Sequence, residues 1–173
     1  MGENMESGHG KELCLESPLV EPPPSPIHAA AIPWIQEGLH FQCTGCGQCC
    51  TGASGYVFLS PTDIRALAGH LSLSIKDFTR QYTRWVEGQL ALLDRPASDH
   101  CIFLKDKKCS VYAARPVQCR TYPWWIHNLH SPEAWAAARE SCEGIHPDAP
   151  LVPKETIEEE CAHSLDNLLE RNF

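Results

Sequence analysis

From Pro33-Trp34-Ile35 onward, apolar residues come in short blocks separated by polar and turn-forming residues, which predicts many small elements. Tyr56-Val57-Phe58-Leu59 reads as a short strand. Ser60-Pro61-Thr62-Asp63 opens a helix, with Ser as N-cap, Pro at the first position and Asp in the first turn. Ile64, Leu67, Ala68 and Leu71 form its apolar face. Ser74-Ile75-Lys76-Asp77 resembles a capping box and starts a second helix. Ile75, Phe78, Tyr82, Trp85 and Val86 fall on one side of it, and Gly88 is its stop. Leu90 to Leu93 predicts a strand. Residues 101–104 and 109–112, joined by Lys105-Asp106-Lys107-Lys108, predict a short hairpin with a cysteine at the start of each arm. Ser131-Pro132-Glu133 caps an alanine-rich helix that ends just before Cys142. From about Pro153 a last helix carries Ile157, Cys161, Leu165, Leu168 and Leu169 on one face. Its acidic run, Glu155 and Glu158 to Glu160, lies near the positive end of the helix dipole, where negative charge is favourable.

Together these elements predict a small α+β fold. Three to four helices and short strands or a hairpin surround an irregular, metal-stabilised, cysteine-rich core. Residues 1–32 are charged and then proline-rich, through Glu21-Pro22-Pro23-Pro24-Ser25-Pro26, and predict a disordered leader. Residues 33–150 are expected to form the cysteine domain, and 151–173 a C-terminal helix packed on it.

The cysteines change the picture from fold to chemistry. Cys43-Thr44-Gly45-Cys46-Gly47-Gln48-Cys49-Cys50 places four thiols in eight residues at C-x2-C-x2-C-C spacing. Two-residue gaps let one tight loop aim successive sulfurs at one centre, and thiolates are strong soft ligands for zinc and for iron–sulfur clusters. Neighbouring Cys49 and Cys50 point in different directions, so they are expected to serve two sites, or one of them none. Cys101, Cys109, Cys119 and Cys142 follow at gaps of 7, 9 and 22 residues. These eight thiols suffice for two four-sulfur sites, or for one cluster and one zinc. Cys14 stands alone in the leader. Cys161 falls on a helix stripe and reads as a buried small hydrophobe.

Composition narrows the setting. Ten cysteines in 173 residues are several times normal usage. The net charge of -8 and the lack of a basic run argue against nucleic acid or an anionic membrane as partner. No apolar stretch approaches the roughly 20 residues of a membrane span. The N-terminal residues lack the apolar core of a secretion signal, and Glu6 occupies the position where a myristoylation site needs Ser or Thr. The expected compartment is therefore the reducing cytoplasm, where clustered cysteines bind metal more often than they pair as disulfides.

Four ionised thiolates around one metal leave a net negative centre that needs nearby cations or donors. Arg115 and Arg120 flank Cys119, and Lys107 and Lys108 precede Cys109. Arg115 or Arg120 is expected to hydrogen-bond ligand sulfur. His40, His100, His127 and His130 are rival ligands, with His100 beside Cys101 the first candidate. Trp124-Trp125 reads either as the dry wall of a site or as ordinary core. Zinc ligands usually come as two separated pairs. Three evenly spaced thiols with a distant fourth favour an iron–sulfur cluster, with zinc the alternative.

The ordered pattern is specific. Phe41-x-Cys43-x2-Cys46-Gly47-x-Cys49-Cys50 is followed by Cys101-x-Phe103-Leu104 and Cys109-x-Val111-Tyr112. Arg115-Pro116-x2-Cys119-Arg120-x-Tyr122-Pro123 and Cys142-x-Gly144 complete it. Over about residues 39–146 the chain resembles the YkgJ-type cysteine-cluster family, the CxxCxxCC zinc- or iron-chelating domain. All eight family cysteines have counterparts: Cys43, Cys46, Cys49, Cys50, Cys101, Cys109, Cys119 and Cys142. The resemblance implies a metal-chelating domain with a structural or redox role. Its expected partner is a metal ion, with room for a protein partner. The same domain occurs in flagellin lysine N-methylases, so a methylase-like enzyme, or an accessory to one, is the alternative. The chain shows no long additional region like theirs. It also has no G-x-G-x-x-G loop and no C-x3-C-x2-C signature of radical S-adenosylmethionine enzymes, which favours a non-enzymatic role.

Overall fold

Ser60 caps the first helix as its sequence predicts. Its side chain accepts from Asp63 N, and the Asp63 carboxylate accepts from Ser60 N, which closes the box around α1 (Pro61–His70). The computed structural model describes residues 32–51 and 55–171, so the leader before Ile32, with Cys14, lies outside the described residues. Helix α2 (Ile75–Tyr82) starts at Ser74, whose hydroxyl oxygen accepts from Asp77 N.

This second helix stops earlier than its apolar spacing predicts. Residues Thr83–Val86 form strand β2, paired antiparallel with β3 (Gln89–Leu92). The cause is the turn at Glu87-Gly88, where φ is 49° and 81°. Two successive left-handed residues reverse the chain and give β-branched Thr83 and Val86 a strand to pair with. Trp85 is therefore not on a buried helix face, and 72% of it is exposed. Ile75 is exposed as well. The strand expected at Tyr56–Leu59 runs beside β3, with Leu59 N donating to Leu90 O and Leu92 N donating to Val57 O.

The expected hairpin is present but shorter. Strands β4 (Leu104–Lys105) and β5 (Lys108–Cys109) pair antiparallel across Asp106-Lys107, both at positive φ. Two single-turn helices follow, α3 (Val117–Arg120) and α4 (Ile126–Leu129). Helix α5 (Pro132–Ser141) is capped by Ser131 and ends at Cys142, as expected. Strand β1 (Leu39–His40) pairs with β6 (Leu151–Val152), and α6 (Lys154–Glu170) closes the chain. The fold is α+β: among the described residues there are four helices of two turns or more, two single turns and three antiparallel strand pairs.

Two apolar clusters hold these pieces. Leu59, Ile64, Leu67, Ala68, Phe78, Leu92, Phe103 and Val111 form one. Ile32, Ile35, Trp124, Leu129, Ile157 and Cys161 form the other, so Cys161 is the buried small hydrophobe its position suggests. Leu168 and Leu169 are exposed, unlike the rest of the stripe on α6. Cys101 and Cys109 pack on the first cluster, and Phe41 on the second.

One buried carboxylate fastens a cysteine-bearing element. Asp63 Oδ1 accepts from Val117 N at 2.8 Å, and Asp63 Oδ2 accepts from Asn167 Nδ2 at 3.0 Å. A residue of α1 thus ties the first turn of α3, which carries Cys119, to α6. Gln118 adds to this tie: its side chain accepts from Phe58 N and Arg171 Nη1 and donates to Tyr56 O. A buried carboxylate is tolerated only when its lone pairs are filled, and here four donors fill them.

Candidate metal centre

The loop from Cys43 to Cys50 turns on Gly45 and Gly47, both left-handed at φ 70° and 75°, and ends in one 3-10 turn over Gln48–Cys50. Its leading side is held by the Cys142–Gly144 turn. Gln42 N donates to Gly144 O at 3.0 Å, and Thr44 Oγ1 donates to Glu143 Oε1 at 2.6 Å. Its trailing side is held by the segment that enters the β4–β5 hairpin. Cys101 N donates to Cys50 O at 2.9 Å, beside a bridge between Thr51 and His100. Both contacts are so close that only glycine fits. A Cβ on Gly47 would stand 2.4 Å from Lys107 O, and one on Gly144 would stand 2.4 Å from Gln42 O.

These contacts bring distant sulfurs together. Cys43, Cys46, Cys49, Cys50, Cys101, Cys109, Cys119 and Cys142 all line one cavity of about 340 Å³. They are free thiols. Among the described residues, no three side chains of metal-binding type already stand at the spacing a bound ion requires. The structure thus gathers the donors around shared space without drawing them into a finished shell.

Three of the thiols influence one another's ionisation. The Cys50 thiol lies in hydrogen-bonding contact with the sulfurs of Cys101 and Cys49, which pushes its own ionisation up. The accepting sulfurs are pulled down by the same contact, Cys49 to about 6 and Cys101 to about 7. Arg115 also lowers Cys49. Burial pushes Cys109, Cys119 and Cys142 up. Cys49 and Cys50 both reach the cavity.

The charges around the cavity are one-sided. Lys108, Arg115 and Arg120 line it, and among the described residues no Asp or Glu does, in a chain with 22 acidic and 14 basic residues. The ion pairs of the described residues are Arg80–Asp77, Arg84–Asp94 and Lys154–Glu158, so all three cavity cations are without a carboxylate partner. Arg115 is fixed on two sides. Its Nε donates to Tyr112 O at 3.1 Å, and its guanidinium carbon lies 3.6 Å from the centre of the Tyr112 ring. Arg120 and Lys108 are exposed at the rim.

None of His40, His100, His127 and His130 lines the cavity. His40 Nδ1 bonds Ala149 O and His130 Nδ1 bonds His127 O, which gives two of them structural work. Of the two tryptophans, Trp124 walls the cavity, edge-on to Phe41 and stacked on Trp135, so it is both wall and core. Trp125 Nε1 donates to Gln118 O instead. Sequence reasoning gave no role to Tyr112, whose hydroxyl lies 3.9 Å from Cys43 Sγ, nor to the anchor at Asp63. Cys142-x-Gly144 contained the signal for the Gly144 contact, but not its partner.

A family model for the CxxCxxCC domain, described as "Putative zinc- or iron-chelating domain", matches residues 42–143. The chain belongs to the CxxCxxCC family. A protein of Methanocaldococcus jannaschii, named "Uncharacterized protein MJ0661", is 32% identical over 92 residues, which cover 52% of this chain and 48% of that relative. The match therefore spans about half the length of either protein. No solved structure matches the chain. The CxxCxxCC description makes zinc or iron chelation the broad role of the domain, and its partner a metal ion. Eight soft thiol donors around one cavity fit either metal. Among the described residues no helix is long and apolar enough to cross a membrane.

Proposed function

We propose that the CxxCxxCC domain of this chain holds an iron–sulfur centre through cysteine thiolates, in a structural or redox role and in a reducing, cytoplasmic setting. The observation that carries this reading is the meeting of all eight cysteines around one cavity of about 340 Å³. That volume compares with about ten water molecules at roughly 30 Å³ each. A lone zinc ion holds its sulfurs at about 2.3 Å, hence about 3.8 Å from one another in a tetrahedron. Such a shell closes on itself and needs no void. A polynuclear centre needs both the space and the wider spread of thiols.

Arg115 and Arg120 are assigned to the centre's charge. Arg115 is the inner of the two: its charge acts on Cys49, Cys109 and Cys119, and its position is set by Tyr112. Its two terminal nitrogens are left to donate to ligand sulfur. Partners of this kind commonly matter 10- to 100-fold for metal affinity. Arg115→Gln is therefore expected to weaken metal retention about tenfold in competition with a chelator. Arg120→Gln, at the exposed rim, is expected to have a smaller effect. Equal retention in both variants and the parent chain would remove this role.

The experiment for the reading as a whole is anaerobic purification followed by metal, sulfide and visible-spectrum measurement. Brown protein with near-equal iron and sulfide is the expected result. Zinc without sulfide would replace the cluster by zinc sites. Metal-free protein, with thiols that resist alkylation until reduced, would overturn metal binding altogether.

A further inference from the structure

The eight thiols exceed what one four-coordinate centre takes, and their placement along the cysteine loop is not uniform. The leading half of the loop meets one structural neighbour. Gln42 N donates to Gly144 O, and Thr44 Oγ1 donates to Glu143 Oε1, which sets Cys142 beside Cys43 and Cys46. The trailing half meets another. Cys101 N donates to Cys50 O at 2.9 Å, beside the antiparallel bridge of Thr51 with His100. Gly47 presses on Lys107 O, in the turn that leads to Cys109. Cys119 arrives on α3, anchored separately through Val117 N to Asp63.

Two-residue gaps keep Cys43, Cys46 and Cys49 on one tight loop that can aim all three sulfurs at one centre. Cys50 is joined to Cys101 through the bond from Cys101 N to Cys50 O, so four-sulfur coordination leaves Cys119 to the group of Cys50, Cys101 and Cys109.

We infer that the cavity holds two metal centres, one on Cys43, Cys46, Cys49 and Cys142 and one on Cys50, Cys101, Cys109 and Cys119. The boundary falls between the adjacent residues Cys49 and Cys50. The inference rests on the metal-binding reading above and deepens it. Each quartet joins local thiols to distant ones, so each centre ties a different distant segment to the loop: the end of α5 in one case, the hairpin and α3 in the other. The first quartet has three loop cysteines and one distant one, and the second has one loop cysteine and three distant ones.

Paired cysteine substitutions test it, read as metal per folded monomer recovered by size exclusion. Cys142→Ser and Cys119→Ser are each expected to halve the metal content. The double variant Cys46→Ser with Cys142→Ser, within one quartet, is expected to keep half. The double variant Cys142→Ser with Cys119→Ser, across the two, is expected to keep almost none. Equal loss in the two doubles, or complete loss from any single variant, would overturn the division. Titration of the unsubstituted apoprotein with cobalt(II) under reducing conditions covers the case of variants that do not fold. Two equivalents with thiolate-to-cobalt absorption at each step support two centres, and one equivalent overturns them. Failure of the unsubstituted chain to bind cobalt at all would instead count against the underlying metal reading.

Discussion

Removal of the metal by a chelator, with thiols kept reduced, is expected to lower the melting temperature by about 20 °C or more. Structural metal sites of cysteine type contribute on the order of 10 kcal/mol, as large as the whole stability of an ordinary domain. In a chain of this size about 10 kcal/mol corresponds to some 20–40 °C. The loss should not be uniform. Phe78, Leu67 and Ile157 belong to two apolar clusters whose buried members include none of the eight cavity cysteines, so α1, α2 and α6 should retain part of their amide protection. Residues 43–50 and 101–119 should lose theirs, because the β4–β5 hairpin has two residues per strand and α3 a single turn. Paired strands that short are marginal without a staple. Thermal melts and hydrogen exchange, with and without chelator, make the measurement. An unchanged melting temperature would show that the thiols hold nothing the fold needs.

Gly47→Ala should be the most damaging single methyl group in the cysteine loop. Left-handed φ costs an alanine about 1 kcal/mol. The new Cβ would stand 2.4 Å from the Lys107 carbonyl oxygen, which is backbone and cannot rotate away. Relief requires the loop to lift off the hairpin, for a total of about 3 kcal/mol. Metal retention should fall with it, because the same movement parts Cys50 from Cys101. Gly45→Ala is the control. Gly45 has nearly the same φ, but nothing lies within 4 Å of its added Cβ. It should cost only the backbone strain of about 1 kcal/mol. Denaturant unfolding of the loaded proteins compares the two. Equal losses would mean that close docking of the loop on the hairpin contributes little.

How much of this was legible depends on the range of the signal. The starts of α1, α2 and α5 were readable because each is written in a capping residue and its third neighbour: Ser60 with Asp63, Ser74 with Asp77, Ser131 with Ala134. The end of α2 was misread because Tyr82 and Trp85 keep helical spacing. What decides Thr83–Val86 is the pairing with β3, and the information for that lies in the turn at Glu87-Gly88. The candidate site was legible as a list, since all eight spaced cysteines line the cavity. Its assembly was not legible. Gln42 meets Gly144, and Asp63 meets Val117 and Asn167, across separations that no local pattern encodes. Adjacency alone is a poor guide at the histidines: His100 is next to Cys101 in sequence, yet its place in an antiparallel bridge leaves it outside the cavity.

X-ray absorption at the metal edge of anaerobically isolated protein tests the central claim most directly. Convergence of these thiols on inorganic centres predicts a first shell of sulfur alone, at about 2.3 Å, with an iron–iron distance beyond it for a cluster. A shell of nitrogen or oxygen, or thiols that remain fully titratable in protein that carries metal, would contradict it.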